Sequence, residues 1–359
     1  MIRFATKIAL FTAPFFVAYT ANLLFWNYKA GDLSRTGYYY QNPRPMGEAG
    51  REIGEDPFRW TTHFPKKLKG HQIEIMVFGD SFSRIPYSYA NNLAKHIHPR
   101  ILQNKAIPVT NNQLHELESM IESSFFDSVH VETVLLELYE LPLVHRTLQE
   151  RMARKWEDLV IQKPILNDSF IIPRPMFFSE ATVLGPLINL TDALGFGHPF
   201  TETKKIELTN HYLFHPEREI DHVICHRNNF DRHPRANNPE LLGQYHARME
   251  AIGAELEKYG TKFILMIVPG KASLYREVAV HPEEIPMPAV FDFLPAQNPV
   301  HYTVVPTLRV LRAQLGNIPE LYYYDDTHWA PNGSRVISDY LIDSVLYRST
   351  SHDSLATAH

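Results

Sequence analysis

Two short motifs near opposite ends of the sequence contain residue types that together can transfer an acyl group. Gly79-Asp80-Ser81 places a serine directly after an apolar run, and Asp325-Asp326-Thr327-His328 places two carboxylates beside a histidine. A serine hydroxyl needs a base whose pKa lies near neutrality, and histidine provides one. A carboxylate in the same loop can fix the imidazole tautomer. We therefore predict Ser81 as nucleophile, His328 as general base, and Asp326 or Asp325 as the orienting acid.

The turn around Ser81 is also the expected place for an oxyanion. Gly79 allows the backbone to turn sharply, and N–H groups at the start of a following helix can hold a negative charge. Asp80 lies in this turn, so it is a candidate to contact the oxyanion or the substrate. The alternative is a plain turn in which Asp80 or Ser81 caps a helix, with His328 a bystander in a solvated loop.

Apolar runs and helical patterns around the motifs predict an α/β fold. Strands are expected at Ile73–Phe78, Thr133–Leu138, Lys262–Val268 and Leu321–Tyr324. Helices are expected at about 86–96, 113–123, 144–158, 241–259 and 333–347. Strands that alternate with helices indicate a parallel sheet covered on both faces, with ligands at the carboxyl ends of the strands. Ser81 stands at such an end.

Composition excludes several other classes. The chain has 359 residues, 44% hydrophobic and 21% charged, which is typical of a globular protein. A formal net charge of -5 gives no electrostatic reason to expect a nucleic-acid-binding protein, which usually carries a basic face. The single cysteine, Cys225, excludes an intrachain disulfide and a CxxC site. No glycine-rich phosphate loop is present, so we expect no cofactor.

The N-terminus predicts a membrane anchor. Ile8–Trp26 is free of charged residues and long enough to cross a bilayer, with Arg3 and Lys7 before it. A cleaved signal peptide is the alternative. We predict a transmembrane signal anchor at 1–28, a stalk at 29–70 and a catalytic domain at 71–359.

The catalytic domain is expected to contain an insertion at about 162–239, where the pattern of strands and helices breaks down. This insertion is rich in histidine but lacks regular ligand spacing, so we expect no metal site there. The histidines concerned are His198, His211, His215, His222, His226 and His233.

These motifs resemble those of the SGNH (GDSL) hydrolase superfamily, which has GDS after the first strand and a C-terminal D-x-x-H. Asp326-Thr327-His328-Trp329 is similar to the DTHW signature of the alginate O-acetyltransferase group, as is Pro269-Gly270-Lys271 with Tyr275 to its P-x-K-x-x-x-Y element. The resemblance implies a flavodoxin-like, three-layer SGNH fold and makes Lys271 a candidate substrate contact. It also implies further oxyanion donors on the next strand-end loops, for which Asn111 or Asn112, and Glu137, are candidates; a helix cap or a surface group is the alternative for each. The superfamily spacing selects Asp325 as the acid, whereas DTHW selects Asp326, which we prefer.

The resemblance also implies a function. It predicts a membrane-anchored serine O-acyltransferase that acetylates a polysaccharide in the periplasm of a bacterium, anchored in the inner membrane, with a multispanning membrane O-acyltransferase as acyl donor. In the alginate proteins DTHW precedes the GDS serine, whereas Ser81 comes first here, as in ordinary SGNH hydrolases and D-alanyl transfer proteins. The alternatives are therefore an SGNH esterase, a D-alanyl transfer type protein, or a non-catalytic glycan-binding component of an export assembly.

Overall fold

The structure is a computed structural model that describes most of the predicted catalytic domain. The described residues are 2–25, 33, 58–63, 68, 70–83, 87–97, 101–105, 112–140, 160–166, 203–214, 219–231 and 237–346. The helix predicted at 144–158 lies outside these residues, as do His198, His215 and His233.

A seven-stranded sheet forms the centre of the molecule. Its strands are β1 (Phe58–His63), β2 (Gln72–Gly79), β3 (Ile101–Lys105), β4 (His130–Tyr139), β5 (Val160–Leu166), β8 (Lys262–Val268) and β9 (Thr303–Val305). They lie in the order β1-β5-β3-β2-β4-β8-β9. The strands β3, β2, β4, β8 and β9 are parallel to one another and follow the order 2-1-3-4-5 of flavodoxin-like folds. At one edge, β5 pairs antiparallel with β3 and β1 pairs antiparallel with β5. The predicted α/β fold with a central parallel sheet is confirmed.

The central strands are apolar on both faces because helices cover both. Along β2, Ile75 and Val77 belong to one core cluster, whereas Met76 and Phe78 belong to the other. Burying each of these side chains stabilises the fold by about 1.5–3 kcal/mol. The result is a three-layer arrangement with the sheet in the middle.

Helices cover both faces of the sheet. They are α2 (Tyr89–Ile97), α3 (Gln113–Glu122), α4 (Phe125–Ser128), α5 (Asn228–Asp231), α6 (Pro239–Glu257), α7 (Lys271–Tyr275), α8 (Val290–Ala296), α9 (Thr307–Arg312) and α10 (Pro331–Tyr340). The face of Val77 is covered by α2, α7, α9 and α10, and the face of Met76 by α3, α4, α6 and α8. Helix α6 begins after Asn238, whose side chain accepts hydrogen bonds from the N–H groups of Glu240 and Leu241.

The region predicted as an insertion contains ordered elements of its own. Strand β5 joins the main sheet, while β6 (Thr203–Glu207) and β7 (His222–His226) form a separate antiparallel pair. Helix α5 follows β7 directly. The boundaries of the insertion and of the other predicted domains stay predictions.

The strand predicted at Leu321–Tyr324 is wrong, and Thr303–Val305 supplies the last parallel strand instead. The segment turns back on the residues that follow it: Tyr322 forms an isolated bridge with Trp329, and the Ala330 N–H donates to the Leu321 carbonyl. Tyr322 and Tyr324 are buried in the core on one face of the sheet without belonging to one of its strands.

The N-terminal apolar segment forms helix α1 (Ile2–Phe25), which contains Pro14. Among the residues that the structure describes, no helix combines the length and the apolar character needed to cross a bilayer. The predicted transmembrane anchor at 1–28 is therefore not confirmed.

Candidate active site

Ser81 lies where β2 ends, on a single 3-10 turn formed by Ser81–Ser83. Its side chain is exposed, whereas Phe82 and Ser83 are buried. Gly79 is the last residue of β2, and a Cβ there would overlap Ser83 Oγ and lie 2.8 Å from Glu137 Oε2. A glycine is required for the strand to enter this turn.

The turn is held by Asp80 and by the neighbouring strand. The Phe82 N–H donates to Asp80 Oδ1 at 3.1 Å, and Ser83 Oγ donates to the Asp80 carbonyl at 3.0 Å. The Asp80 N–H donates to Glu137 Oε1 at 3.1 Å. A carboxylate that accepts from Phe82 cannot donate to an oxyanion, so the structure gives Asp80 a role in shaping the turn.

His328 and Asp326 form a hydrogen-bonded pair. Asp326 Oδ1 accepts from His328 Nδ1 at 2.6 Å and from the His328 N–H at 3.0 Å. Asp326 is almost fully buried, and Asp325 beside it is buried as well. A proton on Nδ1 leaves Nε2 as the basic nitrogen of the neutral imidazole. The Leu33 N–H donates to the Asp325 carbonyl, so the backbone of this loop is also anchored.

The aromatic ring of Phe82 joins the two motifs. Its centroid lies 4.9 Å from that of His328 and 5.3 Å from that of Trp329. Such aromatic pairs stabilise by about 0.5–1.5 kcal/mol beyond the burial of their surface. Because Phe82 directly follows Ser81, this packing brings the serine turn and the His328 loop to one end of the sheet.

Two buried sets of hydrogen bonds hold the His328 loop in place. Trp329 Nε1 donates to Tyr322 Oη at 2.6 Å, and that hydroxyl donates to the Pro269 carbonyl. Lys271 Nζ donates to the Tyr324 carbonyl at 2.6 Å and is almost fully buried. Lys271, predicted as a substrate contact, thus ties α7 to the residue before Asp325.

Asn112, the other predicted oxyanion contact, is buried and precedes the first residue of α3. The next residue, Gln113, donates from Nε2 to the Gly79 carbonyl at 3.2 Å. The start of α3 therefore lies against the end of β2, next to the serine turn.

Sequence reasoning missed a polar group at the carboxyl end of β4. The Tyr139 ring stacks on Phe82 with centroids 5.7 Å apart, and its hydroxyl donates to Asn229 Oδ1 at 3.2 Å. Asn229 is buried and belongs to α5, within the predicted insertion. The signal available in the sequence was the position of Tyr139 at the end of an apolar strand.

Two buried carboxyl groups also lie on or next to β4. Burial and the negative charge of Asp80 raise the pKa of Glu137 well above its usual value. Burial raises the pKa of Glu140 to about 7, although Ser273 donates to its Oε1 at 2.8 Å. Desolvation thus favours the neutral form of both acids.

No cluster of three or more His, Cys, Asp or Glu side chains suited to a metal ion occurs within the described residues. His211 contacts Glu219, and His222 contacts Asp221 and Tyr324. Burial raises the pKa of the Cys225 thiol to about 12, which keeps the thiolate from forming near neutrality.

Comparison with known proteins bears on the C-terminal part of this site. Residues 228–357 match the family model ALGX, described as an SGNH hydrolase-like domain, acetyltransferase AlgX. The matched range contains Lys271, Asp326 and His328, whereas Ser81 precedes it. No curated protein and no solved structure matches the chain significantly. The predicted resemblance to the SGNH and alginate O-acetyltransferase proteins is confirmed over this range.

Proposed function

We propose that this chain, which contains an SGNH hydrolase-like domain similar to that of the acetyltransferase AlgX, is a serine O-acyltransferase with Ser81 as its nucleophile. The family match supports a function of the acetyltransferase or esterase type. The observation that carries the finer proposal is the hydrogen bond between Asp326 and His328, in a loop packed on Phe82. A base oriented by a buried carboxylate beside a strand-end serine is the arrangement that activates a hydroxyl.

The first half-reaction transfers the acyl group to the enzyme. His328 Nε2 accepts the Ser81 hydroxyl proton while Ser81 Oγ forms a bond to the acyl carbon of the donor ester. The ester C–O bond then breaks, and the imidazolium returns its proton to the leaving oxygen. Asp326 remains ionised and stabilises the imidazolium. The products are an acyl-Ser81 ester and the free hydroxyl of the donor.

The second half-reaction passes the acyl group to an acceptor hydroxyl, which we propose belongs to a polysaccharide. His328 Nε2 removes the acceptor proton, the acceptor oxygen attacks acyl-Ser81, and the proton returns to Ser81 Oγ. Water as acceptor gives an esterase instead. The position of Ser81 before the histidine, an order shared with ordinary SGNH hydrolases and D-alanyl transfer proteins, favours this as the second candidate function.

The oxyanion of both tetrahedral intermediates needs hydrogen-bond donors. We propose the backbone N–H groups of the Ser81 turn and the side-chain amide of Asn229. Tyr139 donates to Asn229 Oδ1, which fixes the orientation of the amide and leaves Nδ2 as its donor end. Within the described residues, Nδ2 makes no hydrogen bond of its own.

The setting of the reaction is a proposal from the sequence. We propose a polysaccharide acceptor and a multispanning membrane O-acyltransferase as the source of acetyl groups, with the catalytic domain outside the cytoplasm. A C-terminal fusion to a reporter that is active only after export tests the location. Activity of the reporter in the cytoplasm alone would contradict it.

The catalytic proposal is tested with the full-length chain in detergent and p-nitrophenyl acetate as acyl donor. We expect a burst of nitrophenol and, after acid quenching, one acetyl group on the peptide that contains Ser81. Ser81→Ala should remove both signals. Asp326→Asn should lower kcat by about 10³- to 10⁴-fold, whereas Asp325→Asn, at the adjacent buried carboxyl, should lower it far less. Equal losses in the two variants, or a burst that survives Ser81→Ala, would refute the assignment.

A further inference from the structure

A buried carboxyl group occupies a core position directly beneath the serine turn. Along β4, Leu135 faces the same core as Val77 of β2, and Glu137 follows it on that face because side chains in a strand alternate. Glu137 is fully buried. An acid at a position suited to an apolar side chain needs a reason, because burial of a charge is costly.

Glu137 contacts the serine turn directly and is linked to the His328 loop through Tyr89. Its Oε1 accepts from the Asp80 N–H at 3.1 Å, one residue before Ser81. Its Oε2 accepts from the Tyr89 hydroxyl at 2.6 Å. The Tyr89 ring in turn packs edge-on against Trp329, the residue after His328, with centroids 5.9 Å apart.

The surroundings of Glu137 favour its neutral form. Asp80 and Tyr89 are the titratable groups that act on it among the described residues, and neither is a cation. Burial and the negative charge of Asp80 raise the pKa of Glu137, and they outweigh the hydrogen bonds from the Tyr89 hydroxyl and the Asp80 N–H, which lower it. Burial and Glu137 likewise raise the pKa of Tyr89, which keeps its hydroxyl a donor.

We propose that Glu137 is a positioning residue that acts as a neutral carboxylic acid, fixing the Ser81 turn through Asp80 and the His328 loop through Tyr89. In this form it accepts from the Asp80 N–H and the Tyr89 hydroxyl while its own proton bonds the Asp80 carboxylate. One side chain thereby sets the distance between nucleophile and base. The inference rests on the proposed function for its effect on rate, but not for its effect on structure.

Two substitutions separate the positioning role from simple core packing. Glu137→Gln keeps the size and neutrality of the acid. Its amide oxygen can still accept from the Asp80 N–H, and its NH2 group can donate to the Asp80 carboxylate and to the Tyr89 oxygen, which then acts as acceptor. Glu137→Leu replaces the acid with an apolar side chain of similar size and removes all of these hydrogen bonds. Glu140→Gln is the matched control, because Glu140 is also buried next to β4 but bonds Ser273 instead of the serine turn.

The rate experiment measures acetylation of Ser81 by p-nitrophenyl acetate in the full-length chain. Glu137→Gln and Glu140→Gln should stay within about 3-fold of wild type, whereas Glu137→Leu should lose about 10²-fold in kcat with little change in KM. Equal rates for Glu137→Gln and Glu137→Leu would overturn the proposal. Absence of Ser81-dependent acetylation in the wild type would instead refute the proposed function.

Two further measurements decide the inference without activity. Infrared spectra near neutral pH should show protonated-carboxyl absorption, and Glu137→Gln should remove a part of it that Glu140→Gln leaves in place; an unchanged spectrum in Glu137→Gln would overturn the neutral acid. Hydrogen exchange of the peptide containing Asp80 and Phe82 should quicken by about 10-fold in Glu137→Leu but not in Glu137→Gln. Equal exchange in both variants would overturn the positioning role.

Discussion

The buried carboxyl of Glu140 should contribute to a fall in the stability of this protein as the pH rises, and Glu140→Gln should remove that contribution. Glu140 is fully buried, and its Oε1 accepts from Ser273. Its Oε2 is buried without a hydrogen-bond partner among the described residues. Gln matches the volume of Glu and can still accept from Ser273, so the substitution removes the charge with little other change.

The magnitude follows from the shift in pKa between the unfolded and folded states. Burial raises the pKa of Glu140 from 4.5 to about 7. Between these values the folded state holds a proton that the unfolded state has released, so stability is highest below the unfolded pKa and is lost up to the folded pKa. The free energy of unfolding should fall by about 2.5 kcal/mol from this group between pH of about 5 and about 8.

Urea unfolding of wild type and Glu140→Gln, followed by tryptophan fluorescence over this pH range, measures the difference. The variant should become the more stable protein toward the alkaline end. The control is Glu255→Gln, at an exposed position of α6 where Glu255 pairs with Lys258. Its free energy of unfolding should change with pH as that of wild type does. If wild type and Glu140→Gln differ by a constant amount at every pH, the raised pKa is refuted.

Four other substitutions test the packing of the domain. In α6, Gly243→Ala has open space and should raise the free energy of unfolding by about 1 kcal/mol, whereas Gly253→Ala overlaps the His301 carbonyl and should lower it by about 1–3 kcal/mol; urea unfolding compares the pair. Asn238→Ala removes the cap of the same helix and should lower it by about 1 kcal/mol in the same assay. Tyr322→Phe leaves Trp329 Nε1 and the Pro269 carbonyl without their partner and should cost about 2–4 kcal/mol, read from the loss of thermal stability.

The fold was predictable where burial on both faces of the sheet makes a strand continuously apolar. Gln72–Gly79, His130–Tyr139 and Lys262–Val268 carry such runs, and they form the centre of the sheet. Strand β3 (ILQNK) and the three-residue β9 lack this pattern, because pairing with neighbours rather than composition defines them. The apolar run at 321–324 misled for a related reason: its tyrosines are buried against one face of the sheet from a loop, and burial alone does not make a segment a strand.

The site was predictable where one motif contains both partners. Asp326 and His328 are two residues apart, so their contact could be anticipated from spacing. The Tyr139–Asn229 bond joins residues 90 positions apart, and Asn229 lies in a stretch without recognisable periodicity. Glu137 was predicted only as a candidate oxyanion contact or surface group at the end of an apolar strand, and its partners became apparent once β2 and β4 were paired.

The order of the motifs along the chain matters less than the edge of the sheet at which they meet. The ALGX match contains the His328 loop and the Lys271 segment but no part of the serine turn. The turn comes from β2, which lies beside β4, and β4 lies beside β8, which leads into Lys271. Since the carboxyl ends of parallel strands share one edge, a serine from the first of these strands reaches the His328 loop as readily as one that follows it in sequence. In this chain the serine turn and the His328 loop are joined by the contact between Phe82 and His328. The spatial arrangement, rather than the order of the motifs, is therefore the proper basis for comparing this chain with the alginate proteins.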